Sequence, residues 1–216
     1  MTKFNSTTAI LSDLDGVILD LNYDMKFWTD WLPNTLAVET GKSSAEVKAD
    51  IKSMMSDQEA SLNWYDLNYW DELLGIDSLE IIKNQEERCS FLKGSEDALK
   101  KIASLSNPKY ILTNGDPRLF DFKSESANFL DYFDSHICSM HLGYAKEQKE
   151  FWALAGQYLK VNLKNSIFID DNFKVVNSAV NAGVGQVYWI NPGRTKNLAN
   201  GVVTYPNLAE LVDAII

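Results

Sequence analysis

Two carboxylates one residue apart, Asp13 and Asp15, end a short apolar run near the start of the chain and are followed closely by Gly16. Like charges repel each other, and burial at the end of an apolar strand adds a desolvation cost. A bound cation, or a reaction that uses both acids, would offset that cost. An acidic turn is the alternative, because Asp-Gly is a common turn pair. The pair alone does not decide between the two.

Polar side chains also follow three later apolar runs. The first of these runs ends in Thr113-Asn-Gly, the second leads to Lys146, and the third ends in Asp170-Asp171. Open parallel sheets bind ligands beyond the carboxyl ends of their strands, at the switch in strand order. Taken singly, Thr113 is more simply part of a turn and Lys146 is equally well a solvated helix start. The adjacent acids at Asp170 and Asp171 are harder to explain without a partner.

The combined set suits phosphoryl transfer. One carboxylate can attack phosphorus and form an aspartyl-phosphate, while a second protonates the leaving oxygen and then activates water, a contribution of ~10²–10⁴ in rate. Mg²⁺ accepts carboxylate oxygens and substrate phosphate together. A hydroxyl and an ammonium can hold the remaining phosphate oxygens.

Strands and helices alternate over most of the chain, which predicts an α/β fold with a doubly wound parallel sheet. The predicted strands are nearly continuous apolar runs, as expected for strands buried on both faces: Thr8–Leu14, Lys109–Thr113, His136–Met140, Ser166–Ile169 and Gln186–Ile190. The helices predicted between them are Glu96–Leu105, Arg118–Leu130, Glu147–Leu159 and Phe173–Ala182.

Between the first strand and Lys93 the pattern changes, and no strand is predicted from Asn22 to Arg88. Ser43-Ser-Ala-Glu46 reads as a capping box that opens a helix, and further helices are predicted at Leu62–Leu74 and Ser78–Arg88. We therefore predict an all-helical domain at residues 21–91, inserted into a core formed by residues 1–20 and 92–216.

Composition limits the classes of partner. The chain has 216 residues and a formal net charge of -10, which argues against binding a nucleic acid polymer or an anionic membrane. Cys89 and Cys138 match no metal spacing and are interpreted as reduced thiols. With no signal-peptide pattern at the start, the expected location is the cytoplasm.

With these residues in this order, the chain resembles the phosphatase branch of the haloacid dehalogenase (HAD) superfamily. Asp13-Leu-Asp-Gly-Val17 is similar to the first motif of that superfamily, Tyr110-Ile-Leu-Thr-Asn-Gly115 to the second, Lys146 to the third and Ile167-Phe-Ile-Asp-Asp171 to the fourth. The motifs occur in the family's order and cover the predicted core. The helical insert corresponds to the family's cap domain.

The resemblance implies a role for each matching residue. Asp13 would be the nucleophile and Asp15 the acid and base. Phosphate would be bound by Thr113, Asn114 and Lys146, and Mg²⁺ by Asp13, Asp15, Asp170 and Asp171. In that metal site Asp15 would offer its backbone carbonyl, and Asp170 would act directly or through water. Where the family's lysine is often followed by proline, Glu147 follows Lys146, which leaves Lys149 as a competitor.

A narrower resemblance, to the bacterial GMP/IMP 5′-nucleotidase subgroup, lies mainly in the insert. Its segments here are Asp24–Trp28, Leu62–Trp70 and Leu74–Asp77. This resemblance implies a small phosphorylated metabolite, a purine nucleoside monophosphate, as substrate. The candidate specificity residues are Asn63, Trp64, Asp66 and Asn68. The aromatic side chains of this stretch could stack on a purine, although aromatic residues at helical spacing more often form the interior of a helical domain.

Other activities use the same motifs. A sugar-phosphate phosphatase or a phosphomutase of the β-phosphoglucomutase type would keep the same core residues. A 2-haloacid dehalogenase keeps the nucleophile but needs neither a general acid at position 15 nor Mg²⁺, so Asp15 and the Asp170-Asp171 pair favour phosphoryl chemistry. A non-enzymatic binding protein is disfavoured because no catalytic position is lost.

Overall fold

The computed structural model describes residues 8–59, 61–193 and 201–216. Within them a six-stranded sheet has the order β3-β2-β1-β4-β5-β6, and every neighbouring pair is parallel. The strands are β1 (Ile10–Ser12), β2 (Lys109–Thr113), β3 (Ser135–Cys138), β4 (Ile167–Asp170), β5 (Gln186–Ile190) and β6 (Val202–Tyr205). The strand order reverses between β1 and β4, which creates the crevice where such sheets bind ligands.

The central strands are buried on both faces. In β1, Ile10 belongs to one hydrophobic cluster and Leu11 to the other, and in β4 Ile167 and Phe168 divide in the same way. Residue Leu11 is aligned with Phe168 across the β1–β4 pair. This two-sided burial is the physical reason for the continuous apolar runs, and it confirms the predicted doubly wound α/β fold.

Helices cover both faces of the sheet. They are α6 (Ser95–Ala103), α7 (Pro117–Ala127), α8 (Lys149–Leu159), α9 (Phe173–Asn181) and α10 (Leu208–Ile215). Buried residues of α6, α7 and α10 share one cluster with Ile10, whereas those of α8 and α9 share the other with Leu11. In the described part of the chain, no helix has the length and apolar character needed to cross a membrane.

The described residues between 22 and 83, here called the helical insert, contain helices and no strand. They form α1 (Asn22–Lys26), a π-helical turn (Phe27–Trp31), α2 (Leu32–Thr40), α3 (Ser44–Ser56), α4 (Leu67–Leu74) and α5 (Ser78–Lys83). The predicted capping box opens α3, because the Ser43 hydroxyl accepts from the amide of Glu46 and the Glu46 carboxylate accepts from the amide of Ser43.

Two connections join the insert to the sheet, and they run antiparallel to each other. The Asp20 amide donates to the Ser90 carbonyl over 2.9 Å, and the Leu92 amide donates to the Ile18 carbonyl over 2.8 Å. The predicted domain limits fall in these connections. The division into two domains remains a prediction.

Two helices predicted in the insert are too long. In place of a helix from Leu62, the chain makes a 3-10 turn at Leu62–Trp64, and α4 begins later because the Asp66 carboxylate caps it, accepting from the Asn68 amide over 2.8 Å. The helix predicted to reach Arg88 ends at Lys83. There the Gln85 side chain donates to the carbonyl of Ile81 over 2.8 Å.

Other elements differ from the prediction at their ends, and two elements were not predicted. The strand predicted at His136–Met140 is wrong at its end, since a 3-10 turn occupies Ser139–His141, and α8 begins two residues later than predicted, at Lys149. The sequence did not predict β6 or α10.

The sheet interior provides a stability test. Phe168 is fully buried in β4 and packs edge-on against Trp152 with ring centroids 4.8 Å apart. We expect Phe168→Ala to lower the free energy of unfolding by about 3–5 kcal/mol, measured by urea denaturation. Tyr158, 59% exposed on α8, supplies the control, because Tyr158→Ala should change that free energy by less than about 0.5 kcal/mol. Equal effects of the two variants would contradict the assignment of Phe168 to the core.

Candidate active site

Three acidic side chains meet at the carboxyl ends of β1 and β4. Asp13, Asp170 and Asp171 each offer an oxygen, and these oxygens all lie within 4.8 Å of one another. The acids lie close together because β1 and β4 are adjacent parallel strands. The Asp13 amide donates to the carbonyl of Ile169 over 2.8 Å and so aligns the two strand ends. Asp13 of the first motif and both acids of the fourth motif therefore share one location.

Lys146 extends into this acidic group. Its ammonium lies 2.7 Å from Asp13 Oδ1 and 2.8 Å from Asp170 Oδ2, and it also donates to the carbonyl of Leu112 over 3.0 Å. The Lys146 side chain is only 2% exposed. Lys149 lies on the surface at the start of α8. The geometry thus brings Lys146, and not its competitor, to the acids.

The acids carry more negative charge than Lys146 balances. Burial raises the pKa of Asp13 to about 7, with the Lys146 ammonium opposing the shift and the Asp170 carboxylate adding to it. Burial likewise raises the pKa of Asp170 to about 6 and that of Asp171 to about 7, with neighbouring carboxylates contributing to each. Burial disfavours the charged form of Lys146, but the two carboxylates outweigh it and its pKa lies above the ordinary value.

This charge imbalance and the donor set both fit a divalent cation. Carboxylate oxygens are the ligands that Mg²⁺ takes in proteins, and a cation would relieve the repulsion among the acids. Asp170 already uses both oxygens, one accepting from Lys146 and the other from the Asn172 amide over 2.7 Å. Within the described residues Asp171 forms no ion pair. Asp171 is therefore the more available direct ligand.

Gly16 gives Asp171 its space. A Cβ atom at position 16 would lie 2.1 Å from Asp171 Oδ2, and the backbone there has a φ of +87°, in the left-handed region. Both constraints favour glycine. The Asp-Gly pair is thus a turn that lies beside the acidic cluster and lets the two acidic strand ends approach.

Strand β2 brings Thr113 to the same edge. The buried Thr113 hydroxyl accepts from the Gly115 amide over 2.9 Å, which leaves its own hydrogen for another acceptor. Asn114 is engaged at both ends of its side chain, donating to Glu147 and accepting from the Lys146 amide, each over 2.9 Å. In this arrangement the Asn114 side chain holds the Lys146 segment in place.

Asp15 lies beside these groups with partners that the sequence did not indicate. Its Oδ1 is 2.7 Å from the ammonium of Lys123, on α7, and the same ammonium also contacts Asp24 of α1. Lys123 is buried. Nothing in the local sequence distinguishes Lys123 from a solvated lysine on a helix.

A second polar bridge to the insert passes through Glu147. The Tyr65 hydroxyl donates to one Glu147 oxygen over 2.7 Å, and the other oxygen accepts from Asn114. The carbonyl of Lys146 accepts from the Trp152 indole over 3.0 Å. These contacts fix the segment that carries Lys146, and only the tertiary structure identifies Tyr65, Glu147 and Trp152 as its supports.

A cavity of about 680 Å³ opens between the insert and the end of β2. The insert contributes aromatic residues, including Trp28, Trp64 and Tyr65, and the core contributes Gly115 and Asp116. The cavity lies next to Thr113 and Asp15, because a Cβ atom at Gly115 would come 3.2 Å from Thr113 Oγ1 and 3.9 Å from Asp15 Oδ2.

The four predicted specificity residues have different locations. Trp64 lines the cavity. Asp66 caps α4, and Asn63 and Asn68 are exposed. None of these last three is among the described residues that line the cavity. Trp70 is fully buried, packed edge-on against Trp28 at 5.5 Å, and so belongs to the interior of the insert.

Known proteins resemble this chain in sequence and in fold. The GMP/IMP nucleotidase YrfG of Escherichia coli (strain K12) is 26% identical over 176 residues, which cover 82% of this chain and 79% of that protein. The HAD phosphatase from Thermococcus onnurineus has a similar structure, with a TM-score of 0.81 at 22% identity over 96% of this chain and 97% of that one. The L-2-haloacid dehalogenase from Xanthobacter autotrophicus gives a TM-score of 0.61 at 17% identity, over 97% and 98% of the two chains. The two structural similarities show the fold alone.

A family model described as haloacid dehalogenase-like hydrolase matches residues 7–183. The match extends from β1 to the end of α9 and includes all four motifs together with the helical insert. The chain therefore belongs to the haloacid dehalogenase-like hydrolases and is an enzyme of that family.

Proposed function

We propose that this enzyme is a Mg²⁺-dependent phosphomonoesterase that works through an aspartyl-phosphate on Asp13. The observation that carries the proposal is the oxygen cluster of Asp13, Asp170 and Asp171, gathered within 4.8 Å around a buried lysine. That arrangement suits a phosphate and a divalent cation sharing one site.

In the first step an Asp13 oxygen attacks phosphorus, and the bond from phosphorus to the leaving oxygen breaks. Asp15 supplies the proton that the leaving oxygen needs. The products are the alcohol and an aspartyl-phosphate. Asp15 Oδ2 is the oxygen nearer to Gly115, a residue that lines the cavity in which the alcohol portion of a substrate would lie.

In the second step water attacks the phosphorus of the aspartyl-phosphate, and Asp15, now a carboxylate, takes the proton of that water. Phosphate leaves and Asp13 is restored. The same side chain thus gives a proton in one step and takes one in the next, so the two steps need no other acid or base.

Charge on the transferring phosphoryl group requires positive partners. Lys146 and the Thr113 hydroxyl are the groups of this chain that would hold phosphate oxygens, with Lys146 exchanging one of its present acceptors for phosphate. Asp13, the Asp15 carbonyl and Asp171 would hold Mg²⁺, with Asp170 directly or through water. When bound, the ion supplies positive charge against the carboxylates and the phosphate.

For the substrate we infer a purine nucleoside 5′-monophosphate. The name of the Escherichia coli relative supports this class, and the cavity volume of about 680 Å³ is within the range of small-molecule sites. Trp64 would stack on the base. Asp15 favours phosphoryl transfer over dehalogenation, which does not need an acid at that position.

The nucleophile and the acid should respond differently to amide substitution. Asp13→Asn should abolish turnover of a nucleoside monophosphate, because the amide cannot form the phosphoenzyme. Asp15→Asn should lower kcat by ~10²–10⁴, because proton transfer is lost. Asp131→Asn, at an exposed position, should leave steady-state kinetics unchanged. Full activity of the Asp13 variant would sink the mechanism.

Metal binding can be followed apart from activity. Wild-type protein should show a rise in Tm on titration with Mg²⁺, since a ligand that binds the folded state stabilises it. Asp171→Asn should weaken the Mg²⁺ affinity by at least ~10-fold, a loss that even outer-shell substitutions produce, measured by calorimetry with Asp131→Asn as the control. An unchanged affinity, or full turnover in excess chelator, would contradict the metal assignment.

Base stacking makes a separate prediction. Stacking contributes about 1–3 kcal/mol per base, so Trp64→Ala should reduce kcat/KM for GMP by roughly 5–150-fold relative to p-nitrophenyl phosphate, which has no purine. Leu73→Ala, half-exposed on α4 and away from the cavity, is the matched control. Unchanged discrimination between the two substrates in Trp64→Ala would count against stacking.

A further inference from the structure

A buried lysine joins the proposed acid of the reaction to the helical insert. Lys123 Nζ lies 2.7 Å from Asp15 Oδ1 and 2.5 Å from Asp24 Oδ2. The Lys123 side chain is 3% exposed, that of Asp15 14% and that of Asp24 20%. Few water molecules can therefore compete for the ammonium, and its position depends on the two carboxylates.

These three residues come from three parts of the fold. Asp15 follows β1, Lys123 lies on α7 of the core, and Asp24 lies on α1, the first helix of the insert. The lysine thus contacts the site from one side and the insert from the other. Any displacement of α1 away from the core would remove Asp24 from the ammonium.

The contact also determines which oxygen of Asp15 can meet a substrate. Oδ1 accepts from Lys123, whereas Oδ2 has no hydrogen-bond partner within the described residues. Oδ2 is the nearer of the two oxygens to Gly115, and Gly115 lines the cavity. A carboxylate held by one oxygen presents the other in a defined direction, which is what proton transfer to a bound substrate requires.

We propose that Lys123 is a positioning residue that orients Asp15 for proton transfer, and that Asp24 keeps the Lys123 ammonium in place. This inference rests on the proposed phosphomonoesterase function. It implies that the acid is fully aligned with the insert seated on the core as in this structure. The insert would then help to align the proton-transfer group in addition to lining the cavity.

Stability alone is a poor explanation for the arrangement. Replacing a buried ion pair with apolar residues is often neutral or stabilising, so such a pair is weak support for a purely structural role. The insert also has other ionic contacts with the core. Lys174 of α9 pairs with Glu59 at the surface, and Arg118 of α7 lies 3.2 Å from Asp71 of α4.

The test compares leaving groups. An alkyl phosphate such as a nucleoside monophosphate expels a basic oxygen that needs a proton, whereas p-nitrophenyl phosphate expels a stable phenolate that does not. Because kcat/KM includes steps only through phosphoenzyme formation, a misplaced acid should reduce kcat/KM for the alkyl substrate selectively. Lys123→Met removes the charge and keeps most of the side-chain length.

We expect Lys123→Met to lower kcat/KM for the nucleoside monophosphate by ~10²-fold and for p-nitrophenyl phosphate by less than ~3-fold. Asp15→Asn should show the same selectivity with a larger loss on the nucleoside monophosphate. Asp24→Asn should produce the same selectivity with a smaller loss, ~10-fold on the alkyl substrate. Lys174→Met, which removes a surface contact between core and insert, should leave both values unchanged.

A purely structural role predicts another pattern. Equal losses on both substrates, or no loss on either, in a folded Lys123→Met would overturn the proposal. If Lys123→Met does not fold, as judged by circular dichroism and thermal unfolding, Asp24→Asn decides in the same way, because it retains the Lys123–Asp15 pair. Failure of the wild-type enzyme to hydrolyse either substrate with Mg²⁺ present would instead refute the proposed function itself.

Discussion

Lys146 lies between two carboxylates that neighbouring parallel strands bring together, and the rest of the site depends on that contact. Without its ammonium, the strand ends of β1 and β4 would present Asp13 and Asp170 to each other in a buried location. One positive charge offsets only part of the repulsion among three carboxylates. Burial, together with the neighbouring carboxylates, raises the pKa values of all three acids. An excess of carboxylates would repel a phosphate group unless a bound cation offsets their charge. The charge balance of the site therefore supports the proposed Mg²⁺.

Holding that lysine requires an extended set of contacts. The Lys146 amide donates to Asn114, its carbonyl accepts from Trp152, and Glu147 ties the segment to Tyr65 of the insert. Lys123 makes a parallel connection from Asp15 to Asp24. Glu147 and Lys123 thus connect the surroundings of the acids to the helical insert by side-chain hydrogen bonds. The insert therefore contacts, through these side chains, the segments that carry the proposed catalytic groups.

The sequence predicts the parts of the site that follow from strand ends, and misses those that follow from packing. Apolar runs with polar ends located Asp13, Thr113 and Asp170, because two-sided burial and parallel pairing are visible in a single chain. Lys123 was not predicted because its contacts with Asp15 and Asp24 depend on the packing of α7 against α1.

The helical insert shows the same division between local and tertiary signals. Its capping box at Ser43 is a local signal and was recognised, whereas the start of α4 depended on whether Asp66 would cap the helix or lie within it. The half-buried edge strand β6 alternates between buried and partly exposed residues, unlike the continuous runs used to find the other strands. Trp64 and Trp70 are two tryptophans of one aromatic stretch. Only the three-dimensional structure shows that Trp64 lines the cavity whereas Trp70 lies in the interior of the insert.

The proposed mechanism requires Asp13 to carry the phosphoryl group during turnover. Rapid acid quench of the Mg²⁺-loaded wild-type enzyme, mixed with a nucleoside monophosphate bearing a radiolabelled phosphate, tests it most directly. We expect a labelled, base-labile phosphoprotein that forms before free phosphate is released, with the label mapped by mass spectrometry to the peptide containing Asp13. Release of phosphate in the first turnover with no labelled protein, or label on a residue other than Asp13, would contradict it.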